Sequence, residues 1–231
     1  MAIHNFSARR QTPSVPRWHH DWLSVDALAK SIYNLSREMR GARILDIGCG
    51  NKPYRNFFSD SALYVGVDLV AINSAADARG AVTRLSFRAE TFDGTICSQV
   101  LEHVPEPSAL LREAHRVLKT KGQLLLSAPM YWHHHEDPFD FYRYTRYGLS
   151  HLIESAGFQI VQIVQQGGAW RVTGQVLANT LMRTISFRTF GLRALLFLFI
   201  NSFFAFLDRV NYHSEDTCNF VALARKVEKG F

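Results

Sequence analysis

The 231-residue chain contains little cysteine: Cys49, Cys97 and Cys218 are the only three, and their spacing is not of the zinc-binding type. An odd number of scattered cysteines does not suit a disulfide framework, so we expect reduced thiols and a cytoplasmic location. Residues 1–20 lack the apolar run of a signal peptide, and we expect them to form a flexible arm. No internal repeat is present, and residues 21–231 suit a single domain.

The chain also lacks the third glycine of a dinucleotide-binding fingerprint. The segment Arg43–Gly50 (RILDIGCG) is an apolar run of strand type that ends in Asp46 and a glycine turn. The third glycine of the fingerprint G-x-G-x-x-G would stand at position 53, but that residue is Pro53. A second apolar run ends in Asp68, at about the 20-residue spacing at which α/β nucleotide sites hold a ribose. Gly48 and its neighbour at position 50 let the backbone turn sharply and let a ligand approach closely.

The two acids indicate which cofactor fits this turn. Asp46, predicted at the mouth of the turn, would repel a pyrophosphate and suits an ammonium or sulfonium group, while Asp68 can accept hydrogen bonds from ribose hydroxyls. This combination describes S-adenosylmethionine better than NAD. A turn that merely joins strand to helix is the alternative. The predicted cofactor-binding residues are Asp46, Gly48, Cys49, Gly50, Asp68 and Gln99.

Alternating strand and helix patterns predict a parallel sheet covered on both sides. The polar segment between Asp68 and Phe92 predicts only a stunted helix. Thr145 is a predicted N-cap, and Gly157 a predicted C′ residue. Strands are predicted at about 43–47, 63–67, 94–98, 123–128, 158–164 and 218–226, and helices at about 21–39, 107–118 and 145–156.

Five segments together resemble the class I S-adenosylmethionine-dependent methyltransferases, and within them the type 11 family. They are Leu45–Gly50, Val65–Asp68, Val100–Val104, Leu111–Lys119 and Asp137–Leu149, and the resemblance covers about residues 42 to 166. It implies an α/β, Rossmann-like doubly wound sheet of about seven strands whose last strand is antiparallel. It also implies methyl transfer from S-adenosylmethionine to a small-molecule or lipid-linked acceptor, with oxygen as the expected acceptor atom.

The chain departs from the family pattern at two places. Lys52 stands where the glycine loop usually has a small residue. The family often has an acid that holds the adenine amino group, and the matching segment Arg79–Val82 (RGAV) has none. Asp77 or backbone groups are the candidate replacements.

Residues after the fourth and fifth strands are the candidates for chemistry, because ligands of open parallel sheets bind beyond the carboxyl ends of the strands. His103 is a candidate general base, or a residue that orients a loop. In ubiquinone-pathway O-methyltransferases a similar Glu-His segment can help to bind a metal; we assign no metal ligand here. Gln99 either contacts the cofactor or caps a helix. His133 and His135 follow the fifth strand and can face one side together with Asp137, where they would bind a metal or supply a base; the alternative is a solvated loop that closes over substrate.

A second polar and aromatic group precedes the predicted helix at 145. Tyr142 belongs to it, with expected roles in substrate hydrogen bonding and loop locking, and an Asp140–Arg143 pair that simply fixes the loop is the alternative. The predicted catalytic residues are His103, His135, Asp137 and Tyr142.

Acidic residues are scarce between the last two predicted strands. A structureless loop long enough to join these two strands is improbable in a compact domain, so we expect a helical insertion at about 168–212. Ala194–Leu207 carries no charge, and Asp208 is the only acid near five arginines, which are Arg171, Arg183, Arg188, Arg193 and Arg209. Three structures are possible for the insertion. It forms a lid or a homodimer-forming helix pair, or an interfacial helix that brings 171–209 to an anionic membrane surface. The third possibility is a membrane span, which needs ~20 apolar residues, more than Ala194–Leu207 provides.

Other functions fit the sequence less well. The net charge of +6 suggests acidic partners, but no Asn-Pro-Pro-Tyr motif or recognition domain is present, so we expect no nucleic-acid partner. Asp46, which would repel a pyrophosphate, and Pro53, which replaces the third glycine, argue against an NAD-dependent oxidoreductase. A non-catalytic cofactor-binding or membrane-associated scaffold is the remaining alternative. We expect a cytoplasmic protein, with a peripheral position at the inner face of the membrane if the insertion binds lipid.

Overall fold

Seven strands and five α-helices form the part of the chain that the computed structural model describes, residues 12–39, 41–69, 75–185 and 189–227. The strands are β1 (Arg43–Ile47), β2 (Leu63–Asp68), β3 (Ala78–Arg79), β4 (Phe92–Ser98), β5 (Leu118–Pro129), β6 (Phe158–Gln165) and β7 (Asn219–Lys226). The helices are α1 (Trp22–Ser36), α2 (Pro107–Val117), α3 (Arg146–Ser155), α4 (Ala169–Thr184) and α5 (Phe190–Val210), with 3-10 turns at Arg55–Phe58 and Leu101–His103.

The strands form one sheet in the order β3-β2-β1-β4-β5-β7-β6. β1 pairs in parallel with β2 and β4, and β7 lies antiparallel between β5 and β6. The predicted α/β doubly wound sheet with an antiparallel last strand is thereby confirmed. The carboxyl ends of the parallel strands meet at one edge, which we call the carboxyl edge.

Each face of the sheet packs against its own helices because strand residues alternate between the two sides. Leu45 and Ile47 of β1 belong to a core cluster that includes residues of α2 and α3. Ile44 belongs to a second cluster that includes Leu28 and Ile32 of α1. The glycine turn after β1 therefore leaves a strand that is buried on both faces.

The stunted helix predicted between Asp68 and Phe92 is absent from the described part of that segment, residues 75–91, where the short strand β3 and turns are found. Side chains of α2 hold the backbone instead. Glu113 Oε2 accepts from Leu85 N–H at 2.7 Å, and Arg116 donates to the Leu85 and Phe87 carbonyl oxygens. These bonds replace the ones that a helix would make within itself.

The predicted helical insertion consists of α4 and α5, and it lies at the carboxyl edge. β6 ends at Gln165, which pairs with Phe220 near the start of β7, and Pro129 at the end of β5 pairs with Asn219. The connection from β6 to β7 must therefore begin and end beside the end of β5. α4 and α5 pack on each other and contact α1.

Residues 17–20 are held against this insertion, which differs from the flexible arm that we expected. The buried Asn201 amide donates to the carbonyl oxygens of Arg17 and His19 at 2.6 and 2.8 Å, and Gln175 donates to His20 O at 3.0 Å. Buried amides are costly without such partners. The rest of the predicted arm, residues 1–11, lies outside the described residues.

Candidate functional site

The glycine loop, residues 48–52, begins directly after β1 at the carboxyl edge. Gly48 and Gly50 have positive φ angles of 70° and 49°. A Cβ atom on Gly48 would collide with the Val100 side chain, and its N–H donates to the Val67 carbonyl oxygen at 2.8 Å. Glycine at position 48 therefore satisfies both the backbone conformation and the space available.

Asp68, the last residue of β2, joins this loop from the neighbouring strand. Its Oδ2 accepts the Gly50 N–H at 2.9 Å, and the residue is 4% exposed. A carboxylate has acceptor positions on both oxygens, so Asp68 can hold the loop and also accept from a ribose hydroxyl. Burial raises the pKa of the Cys49 thiol to about 12, so Cys49 is a neutral wall of the loop.

Asp46 does not lie at the mouth of the turn, where we expected it. It is 4% exposed, and its Oδ2 accepts the Tyr64 hydroxyl at 2.6 Å on the sheet face covered by α1. Burial raises the pKa of Asp46 to about 7, although the Tyr64 hydrogen bond lowers it. The charge expected to attract a cation is therefore only partly present near neutral pH, and direct cofactor contact by Asp46 stays a prediction.

A lysine–carboxylate pair that the sequence did not reveal braces the same loop. Lys52 is buried with a φ of 52°, and its Nζ lies 2.5 Å from Asp77 Oδ2, which also accepts the Gly66 N–H at 2.7 Å. Burial acts to raise the pKa of Asp77, but these two hydrogen bonds hold it below its ordinary value. Because Oδ2 of Asp77 already accepts two hydrogen bonds, only its other oxygen could replace the missing adenine-binding acid.

Gln99 follows β4 and is held by β5. It has a positive φ of 56°, its N–H donates to the Ser127 carbonyl oxygen at 3.1 Å, and its Nε2 donates to Ser127 Oγ at 3.2 Å. The capping role that we considered is not seen, because the 3-10 turn after Gln99 has Val100 at its N-cap and no side-chain capping bond. Gln99 lies at the carboxyl edge, and its contact with the cofactor stays a prediction.

Glu102, which we did not select, is the most unusual acid near the site. Its side chain is fully buried, and neither carboxyl oxygen has a hydrogen-bond partner in the described part of the chain. Burial raises its pKa to about 8. An unpartnered buried carboxyl costs free energy, and such groups concentrate at functional sites.

His103 presents one nitrogen to this acid. Its Nδ1 lies 2.8 Å from the Phe139 carbonyl oxygen, which can only accept, so Nδ1 donates this hydrogen bond. Nε2 lies 3.8 Å from Glu102 Oε1 and 3.9 Å from Glu136 Oε2. Nε2 of His103 therefore lies near two carboxyl groups, an arrangement that suits a shared proton or a bound cation.

His135 joins His103, and their ring centroids are 4.7 Å apart. Burial, followed by the charge of His103, lowers the pKa of His135, which keeps it neutral near pH 7. Asp140 Oδ2 accepts the His135 backbone N–H at 3.1 Å, and Arg143 binds both Asp140 oxygens at 2.6 and 2.8 Å. The Asp140–Arg143 pair thus fixes the loop that carries His135.

Two of the predicted catalytic residues lie apart from this histidine pair. Asp137 contacts His134 at 3.5 Å, and both side chains are largely exposed. The Tyr142 hydroxyl donates to the Pro105 carbonyl oxygen at 2.9 Å, a contact of the loop-locking kind. Within the described part of the chain, neither residue forms a hydrogen bond with His103 or His135, and their catalytic roles stay predictions.

Glu102, His103 and His135 each offer a ligand atom within 4.8 Å of the others'. One carboxylate oxygen and two imidazole nitrogens form a donor set that suits several divalent transition metals. From the sequence we considered a metal-binding role for the loop that carries His135 but assigned no metal ligand, and we did not select Glu102.

A cavity of about 210 Å³ separates the loop after β5 from α4. Asn179 of α4 and His133 of the loop meet across it, with Nδ2 and Nδ1 3.1 Å apart. The remaining lining is mainly apolar and aromatic, and consists of Tyr131, Trp132, Val172, Gln175, Val176, Arg183 and Cys218. Its position at the carboxyl edge makes it a candidate acceptor site.

Comparison with known proteins gives a family match. The family model described as "Methyltransferase domain" matches residues 19–163. A Ubiquinone biosynthesis O-methyltransferase of Xanthomonas oryzae pv. oryzae is 32% identical over 39% of this chain and 44% of that protein. The protein of the same name from Neisseria meningitidis serogroup C is 29% identical over 39% and 45%. The match thus spans less than half the length of these curated relatives.

Solved structures agree on the fold. The [4+2]-cyclase SpnF superposes with a TM-score of 0.61 and 18% identity, covering 94% of this chain and 87% of that one. A SAM-dependent methyltransferase from Archaeoglobus fulgidus superposes with a TM-score of 0.54 and 16% identity, covering 85% and 94%. At these identities the likeness shows the fold alone, and the cyclase illustrates that one fold hosts different chemistry.

Proposed function

The chain belongs to the methyltransferase domain family and uses S-adenosylmethionine, and from this premise we propose that it methylates a hydroxyl oxygen of a small-molecule or lipid-linked acceptor. The glycine loop held by Asp68 carries the cofactor part of the proposal. The names of the matched relatives support oxygen as the acceptor atom. The finer type 11 assignment stays a prediction.

The residues of the loop fit this cofactor. Gly48 and Gly50 turn the backbone at positive φ angles, and Asp68 offers acceptors for ribose hydroxyls. When bound, S-adenosylmethionine supplies a methyl group activated by its sulfonium. The remaining tasks of the protein are to align the acceptor oxygen, exclude water and remove the hydroxyl proton.

The proton of the acceptor goes to the pair formed by His103 and Glu102. Nε2 of His103 lies 3.8 Å from Oε1 of Glu102, whose pKa of about 8 lies close to neutral pH. A group with such a pKa exchanges protons readily under physiological conditions. His135 provides a second imidazole next to His103. A divalent cation held by these three residues would serve the same purpose by lowering the pKa of the acceptor hydroxyl.

The acceptor enters the cavity between the loop after β5 and α4. Its aromatic and aliphatic walls suit an apolar ring or chain, and Arg183 adds a cation to the lining. We expect the enzyme in the cytoplasm, with the 171–209 region at the inner face of the membrane. A homodimer formed by α4 and α5 is the competing arrangement.

Two other functions are less well supported. An NAD-dependent oxidoreductase would need a glycine loop open to pyrophosphate, whereas here Pro53 replaces the third glycine. A non-catalytic scaffold would have no use for a buried, unpartnered Glu102 next to two histidines, an arrangement that costs stability.

Binding and metabolite measurements test the proposed function directly. Equilibrium dialysis should show that the purified protein retains S-adenosylmethionine and not NAD. Mass spectrometry of metabolites and lipids from cells with and without the protein should show one compound class shifted by a methylene. Retention of NAD alone would reject the proposal, and so would unchanged metabolite and lipid profiles combined with failure to bind the methyl donor.

Substituting Val176→Trp tests the acceptor site, because Val176 lines the cavity. The larger side chain should raise the acceptor KM about tenfold, as expected when a mainly apolar pocket is partly filled, and should leave the Kd for S-adenosylmethionine unchanged. Leu177→Trp is the matched control, since Leu177 is adjacent and exposed but does not line the cavity. Equal acceptor KM values for the two variants would show that the acceptor binds outside this cavity.

A further inference from the structure

The outer face of α5 has the opposite polarity from a helix of a water-soluble domain. Asn201 and Asp208 are 0% and 7% exposed and point into the protein. Asn201 donates to the Arg17 and His19 carbonyl oxygens, and Asp208 Oδ1 accepts the backbone N–H of Gly168 at 2.9 Å. The polar side chains of α5 are thus used inside, whereas soluble amphipathic helices direct them to water.

Large apolar side chains cover the opposite side. They are Leu192, Leu195, Phe199, Phe203, Phe206 and Val210, each between 45% and 68% exposed. At 100° per residue they fall within an arc of ~80° and extend over ~27 Å of helix. We call this set the outer stripe. Its length and continuity exceed those of scattered surface apolar residues, which need no explanation.

Cations border the outer stripe, and acids do not neutralise them. Arg193 and Arg209 lie near the two ends of α5. Within the described residues neither has an ion pair with a carboxylate, and Asp208 pairs with Arg171. Arg188 lies outside the described residues. An apolar stripe bordered by arginines complements an anionic lipid surface.

The anchoring of α5 argues against the two other environments. It is the one helix in the described ranges that is long and apolar enough to cross a membrane, with a mean hydropathy of 1.9. A span would have to carry Asn201, Asp208 and the domain bound to them into the hydrocarbon. A symmetric dimer through the stripe would bring Arg193 and Arg209 of two copies together without a carboxylate between them, which is unfavourable.

We propose that the outer stripe of α5 docks in the interface of an anionic lipid bilayer and seats the carboxyl edge of the sheet on the membrane. The helix lies in the plane of the surface, with Asn201 and Asp208 toward the protein. α4 lines the acceptor cavity and packs on α5, so the cavity lies next to the bilayer. Docking would bring the acceptor cavity to a lipid-linked acceptor in the bilayer. This role rests on the proposed function, because only a lipid-linked acceptor needs it.

Vesicle flotation tests the docking without any assay of activity. Full-length protein is mixed with phosphatidylcholine vesicles or with vesicles containing phosphatidylglycerol as well. The wild type should float with the anionic vesicles at least tenfold more than with the neutral ones. The variant Leu195→Gln/Phe199→Gln/Phe203→Gln should lose this flotation about tenfold. The control Leu63→Gln/Tyr147→Gln/Val161→Gln changes exposed residues elsewhere and should float normally.

A charge variant keeps the test valid if the stripe variant does not fold. Arg193→Gln/Arg209→Gln should reduce flotation with anionic vesicles about tenfold. The small fraction of protein that floats with neutral vesicles should stay unchanged. Wild type that does not float overturns the docking. So does a wild-type dimer in sedimentation velocity that the stripe variant abolishes, because the stripe is then occupied by a second copy.

Calorimetry with S-adenosylmethionine on the same samples separates the two proposals. Protein that binds the methyl donor but not vesicles overturns the docking alone. Protein that floats but does not bind the donor overturns the proposed function and leaves the docking supported.

Discussion

Replacing Asp68 with alanine should weaken S-adenosylmethionine binding by roughly 2–3 kcal/mol, about 30- to 150-fold in Kd. Asp68 is the carboxylate that closes the glycine loop through Gly50 N–H, and it is the predicted acceptor for the ribose hydroxyls. The substitution removes the charge-assisted hydrogen bonds to the ligand. It also removes the carboxylate oxygen that accepts the Gly50 N–H and holds the loop. Isothermal titration calorimetry gives the change directly.

Two further variants separate these contributions of Asp68. Asp68→Asn keeps one oxygen for the Gly50 N–H and removes the charge, so it should retain the loop and still lose much of the affinity. Asp60→Ala changes an exposed acid and should bind normally. Thermal unfolding of each variant shows whether the fold is kept. Unaltered affinity in a folded Asp68→Ala protein would reject the ribose role.

Glu102→Gln should remove a large part of the pH dependence of stability. Burial raises the pKa of Glu102 from 4.5 to about 8. Between these values the folded protein keeps a proton that the unfolded chain releases, so the free energy of unfolding falls as pH rises. The loss across this window is about 5 kcal/mol for the wild type, and glutamine has no such loss.

Denaturant titrations of both proteins from pH 4 to pH 9 measure this effect. Asp46, whose pKa is raised from 3.8 to about 7, contributes a slope of the same sign in both proteins. The difference between the two curves is therefore the quantity to compare. A constant difference across the pH range would show that Glu102 is ionised in the folded state.

The same substitution should lower turnover by about 10²-fold or more, as expected for loss of an acid–base group. Wild-type turnover should rise with pH as Glu102 loses its proton near pH 8, and the variant should lack that rise. His103→Ala should show a comparable loss. If Glu102→Gln, His103→Ala and His135→Ala all keep full turnover, alignment of the acceptor suffices and the base proposal is wrong.

The sequence alone predicted the geometry of the glycine loop and Asp68, and their contact with the cofactor stays a prediction. The glycine loop follows β1 and Asp68 ends β2, two strands that are close along the chain and pair in parallel. Strands paired in this way end at one edge of the sheet, so the spacing of Gly50 and Asp68 translates directly into their hydrogen bond. Lys52 appeared only as a departure from the family pattern, because its partner Asp77 is brought to it by the folding of β2 and β3.

The acceptor half depended on contacts between distant segments. His103 and His135 were both selected, but Glu102 was passed over, because no local pattern shows that its carboxyl is buried without a partner. Asp137 was chosen for alternation along an extended chain. The loop instead brings Asp140 to His135, since Arg143 binds both oxygens of Asp140.

By itself the sequence determined the alternation of the main strands and helices, the glycine loop and the presence of a helical insertion, since these depend on periodicity and on residues that are near neighbours. Which side of α5 faces solvent was decided only by tertiary structure. The helix is apolar around most of its circumference, so its composition selects no face. Asn201 and Asp208 find backbone partners inside the protein, and satisfying these buried polar groups turns the outer stripe outward.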